Sequence, residues 1–313
     1  MRLIFLGSPS FALPTLEALR AAGHDIALVV SQPDRPAGRG RQAAPPPVAA
    51  YAREHGLPLW QTSTLRGTQA EERLRAVGVE AMALAAFAAL VPGNVLDLAP
   101  ILNVHPSLLP RWRGAAPIQA ALLAGDTLTG VSIIRLVAAM DAGPILLQQR
   151  LAISPDDDYL TLEPRLAQLG ARMLVQALAE QAPGQPQDDS RATYCKKIAR
   201  EDAAIDWSRP AEEIWNQIRA YRGWPQAFTS WEGKLLKVLR ARATERGVQG
   251  GAAPPGNGPT GPGAVRVADG WPLVATGDGE LRLLEVVLEG RKPQSGAELL
   301  RGYPRLNGAV LGT

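Results

Sequence analysis

Three polar residues have types and spacing that can do chemistry: Asn103, His105 and Asp141. Asn103 and His105 lie two apart in Ile101–His105, a short apolar stretch that reads as a β-strand, so their side chains leave the same face. The chain has only three histidines, and His24 and His55 both precede turns. His105 is the one placed for proton transfer near neutral pH, because its strand ends in the proline-braced loop His105-Pro106-Ser107-Leu108-Leu109-Pro110. Asp141 sits in Ala139-Met140-Asp141-Ala142-Gly143-Pro144, a turn between two strand-like stretches. A carboxylate there can orient an imidazole and raise its proton affinity. Each residue has a plainer alternative. His105 can be a structural histidine bonded to a loop carbonyl, and Asp141 can simply cap its own turn.

The elements that must position these residues follow from apolar periodicity. Leu3–Leu6, Ile26–Val30, Ala81–Phe87 and Ile101–His105 read as strands. Helices are predicted between them over Phe11–Ala22, Pro46–His55, Thr68–Val77 and Pro92–Leu98. Repeated strand–helix–strand units imply a doubly wound α/β domain around a mainly parallel sheet, a fold that binds ligands beyond the C-terminal ends of its strands. His105 occupies such an end. Val131–Val137 and Ile145–Ile153 add two strands, and Leu160–Glu180 a long helix. Gln181–Ser190 is rich in Pro, Gly and polar residues and reads as a linker. Beyond it, a helix over Glu212–Tyr221 precedes short strands at Phe228–Trp231, Leu235–Leu239, Ala264–Val267, Leu273–Thr276 and Leu281–Val287, the pattern of a small β-barrel. The glycine- and proline-rich stretch Gly247–Gly263 reads as a mobile loop inside it. The chain thus divides into a catalytic domain over 1–183, a linker over 184–204 and a barrel domain over 205–313.

Composition excludes several classes. The chain is 46% hydrophobic, too apolar for a disordered chain, yet no apolar run is long enough for a transmembrane helix. Met1–Gly7 lacks the apolar core of a signal peptide, so a soluble, cytoplasmic protein is expected. The single cysteine, Cys195, excludes an internal disulfide and a cysteine-based zinc site, and no metal is expected. Asp156-Asp157-Asp158 reads as a charged helix N-terminus. Gly7 lacks the companions of a dinucleotide fingerprint, and there is no glycine–lysine phosphate loop. The net charge is +3, unevenly spread. Residues 1–190 carry fifteen arginines against seventeen acids, and residues 191–313 carry eighteen basic against thirteen acidic residues, including all five lysines. That asymmetry fits a polyanionic partner or simply a solvated basic surface. Arg35, Arg39 and Arg41 lie among prolines and glycines in Gln32–Arg41, a loop able to reach phosphates, and Lys196 and Lys197 offer a second basic contact.

The run Asn103-Val104-His105-Pro106-Ser107-Leu108-Leu109-Pro110 resembles the formyltetrahydrofolate-dependent formyltransferases. Its continuation through Arg111-Trp112-Arg113-Gly114-Ala115-Ala116-Pro117-Ile118-Gln119 is similar to the methionyl-tRNA formyltransferases in particular. So are Gly7–Ala12, Gln32–Gly40, Gly130–Ile133, Met140-Asp141, Ile205–Ser208, Trp224-Pro225 and Ala275–Gly279, and the likeness therefore runs nearly end to end. The resemblance implies that Asn103, His105 and Asp141 are catalytic. It implies that Ser107, Leu108, Leu109 and Pro110 contact folate, with Phe87 and Ala88 in the wall of the folate pocket. The arginine-rich loop falls on the family's insertion that approaches the tRNA acceptor end, and the second domain on its oligonucleotide-binding-like barrel. The implied co-substrate is 10-formyltetrahydrofolate and the implied acceptor is the α-amine of initiator methionyl-tRNA. Asn103 and a protonated His105 are expected to support the developing oxyanion, and Asp141 to hold the imidazole. A monomer with no metal and no membrane partner is expected. The sequence departs from the family at Ala86-Phe87-Ala88, where Ala-Tyr-Gly is usual, at Ala138-Ala139, where glycine usually precedes Met-Asp, and at Pro144. Three alternatives share parts of the pattern: another folate-dependent formyltransferase, a formyltetrahydrofolate hydrolase, and a non-catalytic RNA-binding module.

Overall fold

The computed structural model describes residues 1–37, 42–181, 183–244 and 260–312. They fall into two compact units. The first comprises Met1–Pro117, Leu128–Ile153 and Leu162–Lys196, and the second Ile118–Thr127, Ser154–Thr161 and Lys197–Thr313.

The first unit is built on a seven-stranded sheet in the order Ile145–Ala152, Leu128–Arg135, Ile101–His105, Ala81–Ala85, Arg2–Gly7, Asp25–Ser31, Leu59–Gln61. The five strands from Ile101–His105 to Leu59–Gln61 run parallel. Leu128–Arg135 and Ile145–Ala152 extend the sheet in antiparallel pairing. Runs such as Leu3-Ile4-Phe5-Leu6 and Ala81–Ala85 are buried along their whole length, as strands covered on both faces must be. On one face Ile4, Leu6, Val30, Met82 and Ile101 pack with Leu65, Leu74 and Val95. The helix Tyr159–Glu180 buries Leu162, Leu166, Leu169, Met173 and Leu174, a stripe at helical spacing. Strand order reverses beside Arg2–Gly7, and the C-terminal ends of Arg2–Gly7 and Ala81–Ala85 are where such sheets place a ligand crevice. His105 ends the next strand over.

The second unit carries a curled, wholly antiparallel sheet with Phe228–Trp231, Lys234–Ala243, Glu280–Leu288, Trp271–Ala275 and Val265–Ala268 in sequence across it. Gln294–Ser295 also pairs with Glu280–Leu288. Alternate residues Leu281 and Leu283, then Val286 and Leu288 beyond a shift in the alternation, enter a core shared with Ile214 and Ile218 of the helix Ala211–Ala220 and with Trp231, Leu236 and Val238. Lys234–Ala243 outlasts the expected Leu235–Leu239 because Arg240 and Arg242 flank inward-facing Ala241, which continues the alternation without continuing the hydrophobic run.

Two expectations change. The first part of the anticipated linker packs on the first unit: Gln185 bridges to Ile145, and Tyr194–Cys195 pairs in parallel with Arg113–Gly114. Pro/Gly-rich composition reports exposed side chains, not where a backbone finds its hydrogen bonds. At the described edges of the arginine-rich stretch there is strand rather than irregular loop, since Arg35–Ala37 pairs with Gln42–Ala44. Its Arg39 and Arg41 lie outside the described residues, as do 247–259 of the Gly/Pro-rich stretch. Among the described residues no helix is long and apolar enough to cross a membrane.

Candidate active site

His105 ends its strand opposite Ser132 and is 4% exposed. Its Nε2 lies 2.9 Å from the Trp112 carbonyl oxygen. A carbonyl only accepts, so this bond assigns the proton of the neutral ring to Nε2 and leaves a lone pair on Nδ1. Nδ1 is 3.7 Å from Asp141 Oδ2. That is too long for a hydrogen bond but close enough for the carboxylate to stabilise a proton arriving on Nδ1. Burial holds the imidazole below the usual histidine range, while Asp141 and the Trp112 carbonyl pull it partly back. That direction favours the neutral ring at rest.

Asp141 owes its position to two close backbone approaches. A Cβ on Gly143 would lie 1.8 Å from the Arg135 carbonyl oxygen, so only glycine lets the turn fold flush against the end of Leu128–Arg135. Gly114 has φ of 118°, and a Cβ there would lie 2.2 Å from the Cys195 carbonyl oxygen. Its N–H donates to Asp141 Oδ2 at 2.8 Å. Asp141 itself has φ of 49°, Trp112 of 63° and Ala86 of 48°, conformations that non-glycine residues adopt at a cost in strain. Of the two plainer alternatives raised by the sequence, the histidine bonded to a loop carbonyl is realised, whereas the Asp141 carboxylate accepts from Gly114, far from its own turn in sequence. The structure nevertheless turns the free edge of one toward the other. Asn103, on the same strand, is 6% exposed, and its amide has no hydrogen-bond partner among the described residues.

The loop after His105 is fixed by residues that the sequence reading missed. Ser132 Oγ donates to the Ser107 carbonyl at 2.7 Å and accepts from the Leu109 N–H at 3.1 Å. Gln148 Nε2 donates to Ser132 Oγ at 2.8 Å and to the Leu109 carbonyl at 2.9 Å. The Ser107 hydroxyl donates to the Arg111 carbonyl at 2.6 Å. Ser107 and Leu109 are therefore buried inside the loop, while Leu108 and Pro110 stay half-exposed. A small polar residue in the apolar run Val131–Ile134 was the available signal for Ser132. Phe87 is half-buried against the first-unit core and Ala88 is exposed, both following the strand that borders the crevice. From the anticipated linker, Thr193 Oγ1 accepts from the Trp112 N–H at 2.9 Å and the Thr193 carbonyl from the Arg113 N–H at 2.9 Å. Burial pushes the Cys195 thiol up, which leaves it a poor nucleophile at neutral pH. Arg35, Lys196 and Lys197 are exposed, and the Arg35 guanidinium donates to Gln32 Oε1 at 3.1 Å.

A neutral ring nitrogen with a free lone pair, a carboxylate behind it and an unengaged amide can together take a proton from a nucleophile and hold a developing oxyanion. Comparison with known proteins identifies the family. Residues 1–178 match the formyl transferase family and residues 197–304 the formyl transferase C-terminal domain. The methionyl-tRNA formyltransferase of Chloroflexus aggregans is 45% identical over 96% of this chain and 97% of its own length. That of Methylococcus capsulatus is 42% identical over the whole of both. HypX from Aquifex aeolicus, solved with tetrahydrofolic acid, shares the fold at 15% identity with a TM-score of 0.64 over 96% of this chain, which spans about half of HypX (47%). The chain belongs to the formyl transferases, within the family of the methionyl-tRNA formyltransferases.

Proposed function

We propose that the chain moves the formyl group of 10-formyltetrahydrofolate to the α-amine of methionine on initiator methionyl-tRNA, with Asn103, His105 and Asp141 as its catalytic residues. The observation that carries these roles is the His105 ring, held through Nε2 at the Trp112 carbonyl with its Nδ1 toward Asp141. The neutral amine attacks the formyl carbon, a carbon–nitrogen bond forms, and the carbonyl electron pair moves to oxygen. The Asn103 amide donates to that oxyanion. The nitrogen, now cationic, gives its proton to Nδ1 of His105, and Asp141 stabilises the imidazolium. The intermediate collapses by breaking the bond to the folate nitrogen, which takes the proton back from His105. Tetrahydrofolate and formyl-methionyl-tRNA leave, and the ring is again neutral.

Leu108 and Pro110, with Ser107 and Leu109 beneath them, and Phe87 and Ala88 across the crevice form the folate side. Arg35, Arg39, Arg41, Lys196 and Lys197 face the tRNA. The enzyme works as a cytoplasmic monomer. Full-length similarity to methionyl-tRNA formyltransferases supports the substrate pair, and the basic excess after residue 190 supports a nucleic-acid partner. Formyl transfer to charged initiator tRNA tests it. The wild type should produce formyl-methionyl-tRNA, and His105→Ala should lower kcat by roughly two to four orders of magnitude with little change in folate affinity. Donor hydrolysis without an acceptor would instead mark a hydrolase, and near wild-type turnover by His105→Ala would remove it from the mechanism.

A further inference from the structure

Residues 179–196 fall between the two family matches, at 1–178 and 197–304, yet they frame the catalytic pair from behind. Gln187 Nε2 donates to the Asp141 carbonyl and to the Gly143 carbonyl, both at 2.7 Å. Its Oε1 accepts from the Arg113 guanidinium at 3.1 and 2.8 Å. Arg113 is 2% exposed and also pairs with Asp189 at 2.6 Å. A primary amide has two N–H donors and one oxygen, and here each donor meets one carbonyl of the Asp141 turn while the oxygen meets a buried cation.

We infer that Gln187 is a positioning residue for catalysis, holding Asp141 at its distance from His105 Nδ1. The inference rests on the catalytic roles proposed for His105 and Asp141. Asp141 stands at positive φ, and the carbonyls at 141 and 143 bracket the residue that must not drift. The side-chain anchor of Asp141 is the Gly114 N–H, and Gly114 follows the Arg113 that holds Gln187. Gln187 thus ties both walls of the pair, the 112–114 segment and the 141–143 turn, through a single amide. Electrostatic support for a proton on Nδ1 falls with distance, so slack in the turn reaches rate before binding.

Steady-state formyl transfer by the full chain, with Gln187→Ala, Gln187→Glu and Asp141→Asn side by side, tests it. Gln187→Glu keeps the shape and the acceptor for Arg113 but turns oxygen lone pairs onto both carbonyls. Both Gln187 variants should lose kcat on the order of tenfold to a hundredfold, with KM for each substrate changed less than about twofold. In Gln187→Ala the acid limb of the kcat–pH profile should move in the same direction as in Asp141→Asn, and in Gln187→Glu it should move away from its wild-type position, which a loss of folded enzyme alone would not cause. Should the alanine variant fail to fold, the glutamate variant decides. Wild-type kcat and pH profile in Gln187→Glu, with turnover lost in Asp141→Asn, would overturn the inference and leave the catalytic pair standing. Wild-type turnover in Asp141→Asn would overturn both.

Discussion

Burial and the Asp141 carboxylate act on the His105 proton in opposite directions, and burial is the larger influence. A base works only while neutral, so kcat should rise with pH through the imidazole pKa and level off above it. Asp141→Asn removes the influence that raises that pKa. Its acid limb should therefore shift to lower pH, while its plateau falls because the imidazolium has lost its counter-charge. A pH–kcat profile for the two enzymes checks this, and an unshifted limb with a wild-type plateau would return Asp141 to turn capping. The same burial links folding to pH. Above the ordinary histidine value of about 6.5 the imidazole is neutral in both folded and unfolded chains. As pH falls below it, the unfolded chain binds a proton that the folded one resists, so stability is lost. Between about pH 7.5 and about pH 5.5, wild type should lose more unfolding free energy than His105→Gln, by at most about 1.4 kcal/mol per pH unit. Denaturant titrations at the two pH values measure it.

Single residues act here because the elements leave them little freedom. Ser132 stands opposite His105 on the neighbouring strand and satisfies the Ser107 carbonyl, the Leu109 N–H and Gln148 at once. Ser132→Ala strands these buried groups, which costs about 1–3 kcal/mol. Because they hold the folate-side loop, KM for the donor should rise more than kcat falls; unchanged donor KM would separate the loop from folate binding. Gly114→Ala should be harsher, about 2–4 kcal/mol, since its Cβ meets backbone and its φ is positive. Turnover should fall with it, because the N–H on Asp141 moves. The sequence shows why only part of this was legible. Ile101–His105 and Thr68–Val77 emerge with the boundaries their apolar patterns imply, because strand and helix periods are local. Leu59–Gln61 was invisible, being three half-buried residues that pair only because Asp25–Ser31 offers an edge. Asn103, His105 and Asp141 stood out by residue type, but Gln187 and Thr193 did not, since a polar residue in a Pro/Gly-rich stretch looks solvated until its partners are known. The downward push of burial on the His105 imidazole was also hidden, because burial is a tertiary property.

At the scale of the whole chain, charge and chemistry are distributed unevenly. The first 190 residues are slightly acidic overall and contain the catalytic candidates, whereas the remainder holds all five lysines and a basic excess. A pocket that handles one amine and one formyl group senses only the aminoacyl end of a tRNA, so discrimination among tRNAs needs contacts beyond it. Two sets of basic residues offer them. Arg35 begins the strand Arg35–Ala37, which pairs with Gln42–Ala44 on the unit that carries His105, and Arg39 and Arg41 fall between the two strands in sequence. Lys196 and Lys197 stand exposed where the chain passes from the first unit into the second. Phosphate contacts add affinity that falls steeply with salt, while contacts to bases add discrimination. An arginine fork can read base edges, whereas lysine acts as a point charge toward the backbone. Replacing Arg39 and Arg41 with alanine should therefore raise KM for initiator methionyl-tRNA and narrow its advantage over elongator methionyl-tRNA. Replacing Lys196 and Lys197 should weaken both tRNAs equally and reduce the slope of log affinity against log salt by about one for each phosphate no longer neutralised. Binding and formylation of the two tRNAs across a salt series separate the two roles. An arginine variant with wild-type salt dependence and wild-type initiator preference would move recognition elsewhere on the chain.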